Sequence, residues 1–154
     1  MEKRIKEIIE SQGSEISIIH LLEPEEREKI ASCFELVYHP AKTVIIKEGE
    51  KINYIGIVAS GELKFERQGK FAKPITLALI TKGAHIGDFS MQPEREVLGQ
   101  LRTLTDTELL VITHAKLEAF IQENPYTGIK ILKGISTVLS IRLKNAIDKI
   151  VFMS

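Results

Sequence analysis

The sequence contains one cysteine, no long apolar run and no excess of charge of either sign, and each lack excludes a class of protein. Cys33 is the single cysteine among 154 residues, which excludes an internal disulfide and suits a reducing cytoplasm. No apolar run approaches the roughly 18 residues that a membrane span needs, so we expect no membrane contact. The first residues, MEKRIKEIIESQG, are charged and helix-periodic, unlike a secretory signal.

The balance of charge bears on nucleic-acid binding. Twenty-one basic residues match twenty-one acidic ones, whereas nucleic-acid binding draws on clustered Lys and Arg that displace counterions. The chain as a whole therefore gives that function no general support. A DNA-binding regulator stays open as an alternative, because the last predicted helix carries more basic than acidic residues. The basic residues are Lys130, Lys133, Arg142, Lys144 and Lys149, and Asp148 interrupts them.

Periodicity divides a single predicted domain, residues 1–154, into three blocks. Residues 1–37 have helical spacing, and Pro24 with the acids after it is a helix start signal. Residues 38–112 are short β-branched runs separated by glycine turns, which predicts an antiparallel sandwich or barrel. Residues 113–154 are helical again, with Thr113 as a cap and Pro125 opening a long final helix. The predicted class is mainly β with flanking helices.

The final helix is apolar over more of its circumference than one packed face requires. One stripe recurs at intervals of three and four, and a second group widens it; the members are Leu132, Ile135, Leu139, Leu143, Ala146 and Ile150, then Ile131, Val138, Ile147 and Val151. We therefore expect two neighbours for this helix, its own barrel and a second subunit, and hence a homodimer. The alternative is a helix wedged between the barrel and the N-terminal helices.

Signals for catalysis are weak. The four histidines, His20, His39, His85 and His114, are far apart in sequence and form no close metal-binding pair. Neither a nucleophile elbow nor a phosphate-cradling glycine motif is present. Cys33, beside Phe34, is interpreted as core packing rather than as a redox or haem ligand. We expect neither an enzyme nor a metal site.

Three stretches together resemble the cyclic nucleotide-binding domain family over about residues 20–150. PAKTVIIKEGE (residues 40–50) is similar to the family's second and third strands, with Lys42 where a glycine is usual. IGIVASGELKF (residues 55–65) is similar to its hairpin with a Ser-Gly turn, and LRTLTDTELLVI (residues 101–112) to its last barrel strands. The resemblance implies an antiparallel jelly-roll barrel, or double-stranded β-helix, with N-terminal helices and a long C-terminal helix.

The resemblance also implies a ligand loop, GDFSMQPEREVLG, in which a short helix end meets a cyclic phosphate. Four positions at its start match in place: Gly87, the ribose-binding acid (here Asp88, one methylene shorter than the family's glutamate), Phe89 and the small residue Ser90. Farther on, the family has arginine, a hydroxyl residue and alanine, where this sequence has Val97, Leu98 and Gly99. Losing the arginine's charge-assisted bonds should cost about 1.5–3 kcal/mol of binding free energy.

Two nearby arginines are candidates to replace that charge. Arg95 lies two residues early, between Glu94 and Glu96, and is expected to be a solvated loop charge, although it stays a candidate for anion contact. Arg102 follows on a predicted strand, where a salt-bridged surface role is expected. Neither replaces the family's phosphate contact in the predicted register.

These observations together predict a non-catalytic sensor or interaction module with a degenerate phosphate loop. We expect weak or absent binding of cAMP and cGMP, or a pocket altered toward another small ligand; the alternative is a working cyclic nucleotide-binding signalling protein. In catabolite-activator-type relatives a DNA-binding domain follows the long helix, whereas this sequence ends at Ser154. We therefore expect it to act through dimerisation or a partner protein, unless the sequence is a fragment of a longer product.

Overall fold

The computed structural model describes residues 1–12, 16–71, 73–92 and 94–154. Within these ranges, helices α1 (Glu2–Ser11) and α2 (Pro24–Ala31) precede eight strands, and α3 (His114–Glu123) and α4 (Pro125–Met153) follow them. The strands are β1 (Glu35–His39), β2 (Val44–Ile46), β3 (Tyr54–Ser60), β4 (Leu63–Gln68), β5 (Pro74–Ile80), β6 (His85–Gly87), β7 (Gln100–Thr103) and β8 (Thr107–Thr113). Among the helices of the described residues, none combines the length and the hydropathy of a membrane span.

The strands form two antiparallel sheets, which confirms the predicted jelly-roll architecture. One sheet has the order β1-β8-β3-β6 and the other the order β2-β7-β4-β5. Neighbours that are distant in sequence, such as β1 and β8, pair along their full length, from Glu35 opposite Val111 to His39 opposite Thr107. The predicted tight turn at Ser60 and Gly61 is confirmed, since β3 ends at Ser60, Gly61 has φ of 96° and β4 begins at Leu63. The expected hairpin is wrong, because this turn carries the chain from one sheet into the other and β3 does not pair with β4.

The first block differs from its prediction at its end. Residues 1–37 were predicted to be helical, but α2 ends at Ala31 and β1 begins at Glu35. The reason is tertiary: the segment ELVYH pairs with β8, and Leu36 packs against the buried core. The turns between the two N-terminal helices also bury Ile18, Ile19 and Leu22, although those residues are not helical.

The predicted helix starts are confirmed by their caps. Pro24 opens α2, and a capping box joins Glu23 and Glu26 across its first turn. The Thr113 hydroxyl accepts a hydrogen bond from the backbone N–H of Lys116 at 3.2 Å and so caps α3. Pro125 opens α4, and Asn124 before it is both the C-cap of α3 and the N-cap of α4. Local chemistry therefore determines where each of these helices begins.

Two apolar clusters hold the elements together. The first joins the N-terminal helices, the β1-β8-β3-β6 sheet, α3 and the first half of α4, with Ile18, Ile55, Leu110 and Ile131 fully buried in it. The second lies between the two sheets and contains Ile46, Ile52, Val58, Leu63, Ile86, Leu101 and Leu109. The second cluster is small, and the cavity described below lies beside it.

Helix α4 has two halves with different surroundings. The inner half, residues 125–138, contains all the buried residues of the helix: Thr127, Gly128, Ile131, Gly134, Ile135 and Val138. At Gly134 a Cβ atom would lie 2.7 Å from the Ser17 carbonyl oxygen, so the helix can approach this backbone only with glycine there. The outer half, residues 139–153, is exposed at every residue.

Lys42, at the position where the resemblance implies a glycine, adopts a left-handed backbone conformation with φ of 57°. This conformation costs a side-chain-bearing residue about 1 kcal/mol relative to glycine. The turn is held by the Lys42 amide, which donates to the Thr103 carbonyl oxygen at 2.9 Å, and by the Ala41 amide, which donates to Asp106 at 2.9 Å. A backbone conformation typical of glycine is thus adopted here by a lysine.

Candidate functional site

A cavity of about 400 Å³ lies where the predicted ligand loop, the edge of the inter-sheet core and α4 meet. Six of the seven ligand positions that the resemblance implies line it: Gly87, Asp88, Phe89, Ser90, Val97 and Leu98. The remaining wall is mostly apolar and comes from Ile46, Phe65, Ile80, Ile86, Leu101 and Leu139, together with His85, Arg95, Glu96 and Arg142. The structure therefore brings the two ends of the loop, Gly87 to Ser90 and Val97 to Leu98, to one cavity although six residues lie between them in sequence.

Gly99, the seventh position, does not line this cavity. It is buried, and a Cβ atom there would lie 2.6 Å from the Glu66 carbonyl oxygen and 2.8 Å from the Phe65 ring. A ligand role for Gly99 stays a prediction. The contacts give this glycine a packing role, because the loop can rejoin β7 beside β4 only where no side chain intervenes.

Gly87 ends β6 and must be a glycine. Its φ is 109°, and a Cβ atom would lie 2.3 Å from the Tyr54 carbonyl oxygen on the paired strand β3. The next residue continues the contact, since the Asp88 amide donates to the same Tyr54 oxygen at 3.2 Å. The close approach of β6 and β3 sets the position from which the loop departs.

Asp88 organises the start of the loop and keeps one oxygen unused. Its Oδ1 accepts hydrogen bonds from the Ser90 amide at 2.9 Å and from the Ser90 hydroxyl at 2.6 Å. The Asp88 carbonyl oxygen accepts from His114 Nε2 at 2.7 Å, which ties the loop to α3. Its Oδ2 is buried and has no hydrogen-bond partner within the described part of the chain. A buried oxygen of this kind is expected to meet a donor, such as a water or a ligand hydroxyl.

The Val97 side chain adds apolar surface to the cavity wall. Its backbone N–H and C=O groups are already hydrogen-bonded within the chain, so neither is left for a ligand. Its amide donates to the Glu50 carbonyl oxygen at 2.8 Å, and its carbonyl oxygen accepts from the Gly49 amide at 3.0 Å. Its side chain packs against the inter-sheet core, and Leu98 beside it is exposed. This corner therefore presents apolar surface, which does not solvate a phosphate.

Arg95 lines the cavity and is exposed on the loop. Its neighbour Glu94 pairs with Lys51 at 3.5 Å rather than with Arg95. Arg102 does not reach the cavity lining. It pairs with Glu66 at 3.0 Å, which confirms the predicted salt-bridged role for this arginine. Lys64 contacts the same carboxylate at 3.6 Å, so Glu66 is buried between two cations.

Arg142, in the outer half of α4, is a cavity residue that sequence reasoning missed. Although the residue as a whole is exposed, its guanidinium lies 4.9 Å from the Phe89 ring centroid and donates to the His85 carbonyl oxygen. Burial of the guanidinium lowers the pKa of Arg142 from its usual value. The signal was present, because Arg142 continues the buried spacing of Ile131, Ile135 and Val138 by the next four-residue step.

His85 lies beneath Arg142 and is uncharged. Its Nε2 accepts a hydrogen bond from the Ile18 amide at 3.3 Å, so the ring joins the cavity to the N-terminal turns. Burial, together with the nearby Arg142 charge, lowers the pKa of His85 to about 4. At neutral pH the imidazole is therefore neutral and does not compete with Arg142 for an anion. No group of three or more metal-ligating side chains occurs among the described residues.

A family model described as the cyclic nucleotide-binding domain matches residues 36–124, more than half of the chain. The cyclic AMP receptor protein of Thermus thermophilus is 28% identical over 129 residues, which are 84% of this chain and 58% of that protein. The cAMP-dependent protein kinase regulatory subunit of Schizosaccharomyces pombe is 26% identical over 88 residues, 57% of this chain and 20% of that one. The chain thus spans little more than half of the first relative and a fifth of the second.

A solved cyclic nucleotide-binding domain from Methylobacillus flagellatus has the same fold, with a TM-score of 0.87. The alignment covers 99% of this chain and 85% of the other, at 22% sequence identity. At this identity the similarity shows the shared architecture, including the flanking helices, and does not transfer a ligand.

Proposed function

Because the chain belongs to the cyclic nucleotide-binding domain family, we infer that it is a non-catalytic regulatory module with a degenerate phosphate loop. We propose that its cavity binds cAMP and cGMP weakly or not at all. One observation carries this proposal: the cavity wall at the family's arginine position consists of Val97 and Leu98. A phosphate placed there would lose its solvation and gain no paired donor.

The backbone supports the same conclusion. In a working anion loop, amides that have no other partner point at the phosphate. Here the Val97 amide is already bonded to Glu50, and the Ser90 amide to Asp88. Engaging either amide would break an existing hydrogen bond, so the loop offers a cyclic phosphate fewer donors than its length suggests.

The alternative is a working cyclic nucleotide-binding protein that uses Asp88, loop amides and Arg95. One observation favours it: Arg95 lines the cavity, and its neighbour Glu94 is held by Lys51 rather than by Arg95. An exposed arginine is strongly hydrated and screened, however, and should add less affinity than an arginine inside the cavity.

Calorimetric titration of the purified chain with cAMP and with cGMP tests the proposal. We expect no saturation below about 0.1 mM of either nucleotide, and we expect Val97→Arg to strengthen cAMP binding by about 10-fold to 100-fold. Val97→Leu is the matched control, because it changes shape without adding donors. Low-micromolar affinity in the unaltered chain, lowered by Arg95→Gln, would establish the alternative instead.

We further propose that the module acts through dimerisation or a partner protein, with the outer half of α4 as the contact. This half exposes an apolar stripe of Leu139, Leu143, Ile147, Ile150 and Val151. Leaving such a stripe in water forgoes about 25 cal/mol per Å² of apolar surface. A second copy of the same helix presents an identical stripe, and spacings of three and four residues suit a two-fold helix pair.

Native mass spectrometry tests the dimer. We expect a mass twice the 17.3 kDa of one chain. Leu143→Asp should give the single-chain mass, because it places a charge within the stripe. Asn145→Asp adds the same charge on another side of the helix and should leave the dimer intact. A single-chain mass for the unaltered protein at micromolar concentration would remove the dimer from the proposal.

The basic residues of α4 give a DNA-binding regulator little further support. Lys130 pairs with Glu26, Lys144 pairs with Asp148, and the Lys149 ammonium donates to the Leu77 carbonyl oxygen at 2.9 Å. With Arg142 turned into the cavity, four of the five cations contact their own chain. We keep the cytoplasm as the proposed location, on the ground that Cys33 is the single cysteine of the sequence.

A further inference from the structure

The two arginines that line the cavity differ from the other four in their partners. Arg4, Arg27, Arg67 and Arg102 each form an ion pair with a carboxylate. Within the described residues, Arg95 and Arg142 form none, and these are the two that line the cavity. The arginines without a carboxylate partner are thus the two at the cavity, which Asp88 and Glu96 also line, although the family's loop arginine is missing.

Of these two cations, Arg142 is placed to act inside the cavity. Its guanidinium lies against the Phe89 ring, and only the His85 carbonyl oxygen accepts a hydrogen bond from it among the described residues. A guanidinium has five N–H donors, so most of this fork is left for another acceptor. Because the group is partly removed from water, an anion in the cavity would regain the solvation it has lost.

The position of Arg142 follows from the helix. The residues that face the body of the domain, Ile131, Ile135 and Val138, are buried, and the same side of the helix reaches Arg142 four residues later. The packed inner half therefore holds the guanidinium over the cavity. Among the other titratable side chains that line the cavity, His85 is neutral, and neither Asp88 nor Glu96 forms an ion pair with Arg142 within the described residues.

We propose that Arg142 is the anion-binding residue of this cavity, and that the cavity takes a ligand with one anionic group on an apolar body. The anionic group would bind from the α4 side, and the apolar body would contact Val97, Leu98 and Leu101. The buried Asp88 Oδ2 favours a ligand hydroxyl and disfavours a second anionic group. The inference rests on the proposed function only in taking this cavity as the ligand site.

A matched pair of fluorescent probes tests this ligand class. 1-Anilinonaphthalene-8-sulfonate carries one sulfonate on an apolar body, and N-phenyl-1-naphthylamine is the same body without the charge. We expect the unaltered chain to bind the sulfonate at least about 10-fold more tightly than the neutral probe. Arg142→Gln should remove most of that preference by weakening only the sulfonate, and Arg142→Lys should retain part of it.

A control locates the effect. Lys144→Gln removes a charge from the exposed outer half of α4, away from the cavity lining, and should keep the preference for the sulfonate. Equal losses in Arg142→Gln and Lys144→Gln would overturn the inference, and so would an unchanged preference in Arg142→Gln with native circular dichroism. Neither result bears on the Val97→Arg titration, so the inference and the proposed function can fail separately.

Discussion

The two halves of α4 form one continuous helix with two kinds of surroundings. The inner half packs on the N-terminal turns and is tied to α2 by Glu26, which accepts hydrogen bonds from Thr127 and from Lys130 at 2.6 Å. The outer half has no buried residue, and its ion pair, Lys144 with Asp148, lies within the helix itself. Both halves thus have apolar residues at intervals of three and four. In the inner half these residues include the buried ones, and in the outer half all of them are exposed.

The side of the helix that faces the body shows where the change occurs. It carries Ile131, Ile135 and Val138 in the inner half and then Arg142, followed by Lys149, in the outer half. Apolar packing onto the domain therefore gives way to cations that reach the cavity and the β5 carbonyl groups. Leu139, the first residue of the apolar stripe, also lines the cavity, whereas the stripe from Leu143 to Val151 is exposed and open to a second chain. Arg142 is the first cation after the buried apolar residues on this side of the helix. It therefore lies between the proposed ligand site and the proposed contact surface.

The largest expected effect comes from a matched truncation in each half. Ile131 is 0% exposed and Ile147 is 50% exposed. We expect Ile131→Ala to lower the free energy of unfolding by about 3 kcal/mol, because it leaves a cavity in the main core. Ile147→Ala should change it by less than about 0.5 kcal/mol in the dissociated chain, since the side chain is already hydrated and alanine favours a helix. Chemical denaturation at low protein concentration measures both.

Repeating this measurement at high protein concentration sharpens the comparison. If the outer half pairs with a second copy, the cost of Ile147→Ala should grow with concentration, whereas the cost of Ile131→Ala should not. Equal costs for the two variants in dilute solution would show that the outer half packs within its own chain, and the division of α4 would then be wrong.

Much of the fold was predictable, because its determinants are local. Pro24, Thr113 and Pro125 mark helix starts, and β-branched runs between glycine turns mark the strands. The segment of β1 was missed because residues 35–39 directly follow a helix, and their strand conformation is determined by pairing with β8, more than sixty residues later. Periodicity within a short window contains no information about that partner.

The site was predictable only in part, for a similar reason. The loop residues from Gly87 to Leu98 are close in sequence, so a family pattern places them together, and six of the seven positions do line one cavity. Arg142 reaches the same cavity from more than forty residues away, and the sequence alone placed it only among the basic residues of the last helix. The apolar spacing of α4 predicted two neighbours but did not tell which residues faced which neighbour. The direction of Arg142 follows from tertiary packing of the inner half, such as the close approach of Gly134 to Ser17, which sequence periodicity does not contain.

A smaller effect is expected from one ion pair in each half of α4, Lys130 with Glu26 and Lys144 with Asp148. The distance from the ammonium nitrogen to the carboxylate oxygen is 2.6 Å in both. Glu26 and Lys130 have side chains that are 20% and 37% exposed, against 61% and 72% for Asp148 and Lys144. Hydrogen bonds from Lys130 and Thr127 lower the pKa of Glu26 from 4.5 to about 2. Because the folded chain holds this carboxyl ionised, its contribution is complete above pH 4.5 and is lost as the pH falls toward 2.

Unfolding measured from pH 7 down to pH 2 in Glu26→Gln and Asp148→Asn therefore separates the halves. With allowance for solvent screening, Glu26→Gln should cost about 1 kcal/mol at neutral pH, and its difference from the unaltered chain should shrink through this window. Asp148→Asn should cost less than about 0.5 kcal/mol throughout, because an exposed pair within a helix contributes little. A pH-independent difference for Glu26→Gln would mean that α2 holds the inner half through shape alone. The distinction between the two halves of α4 would then depend on apolar packing alone. Only the comparison of Ile131→Ala with Ile147→Ala would still support it.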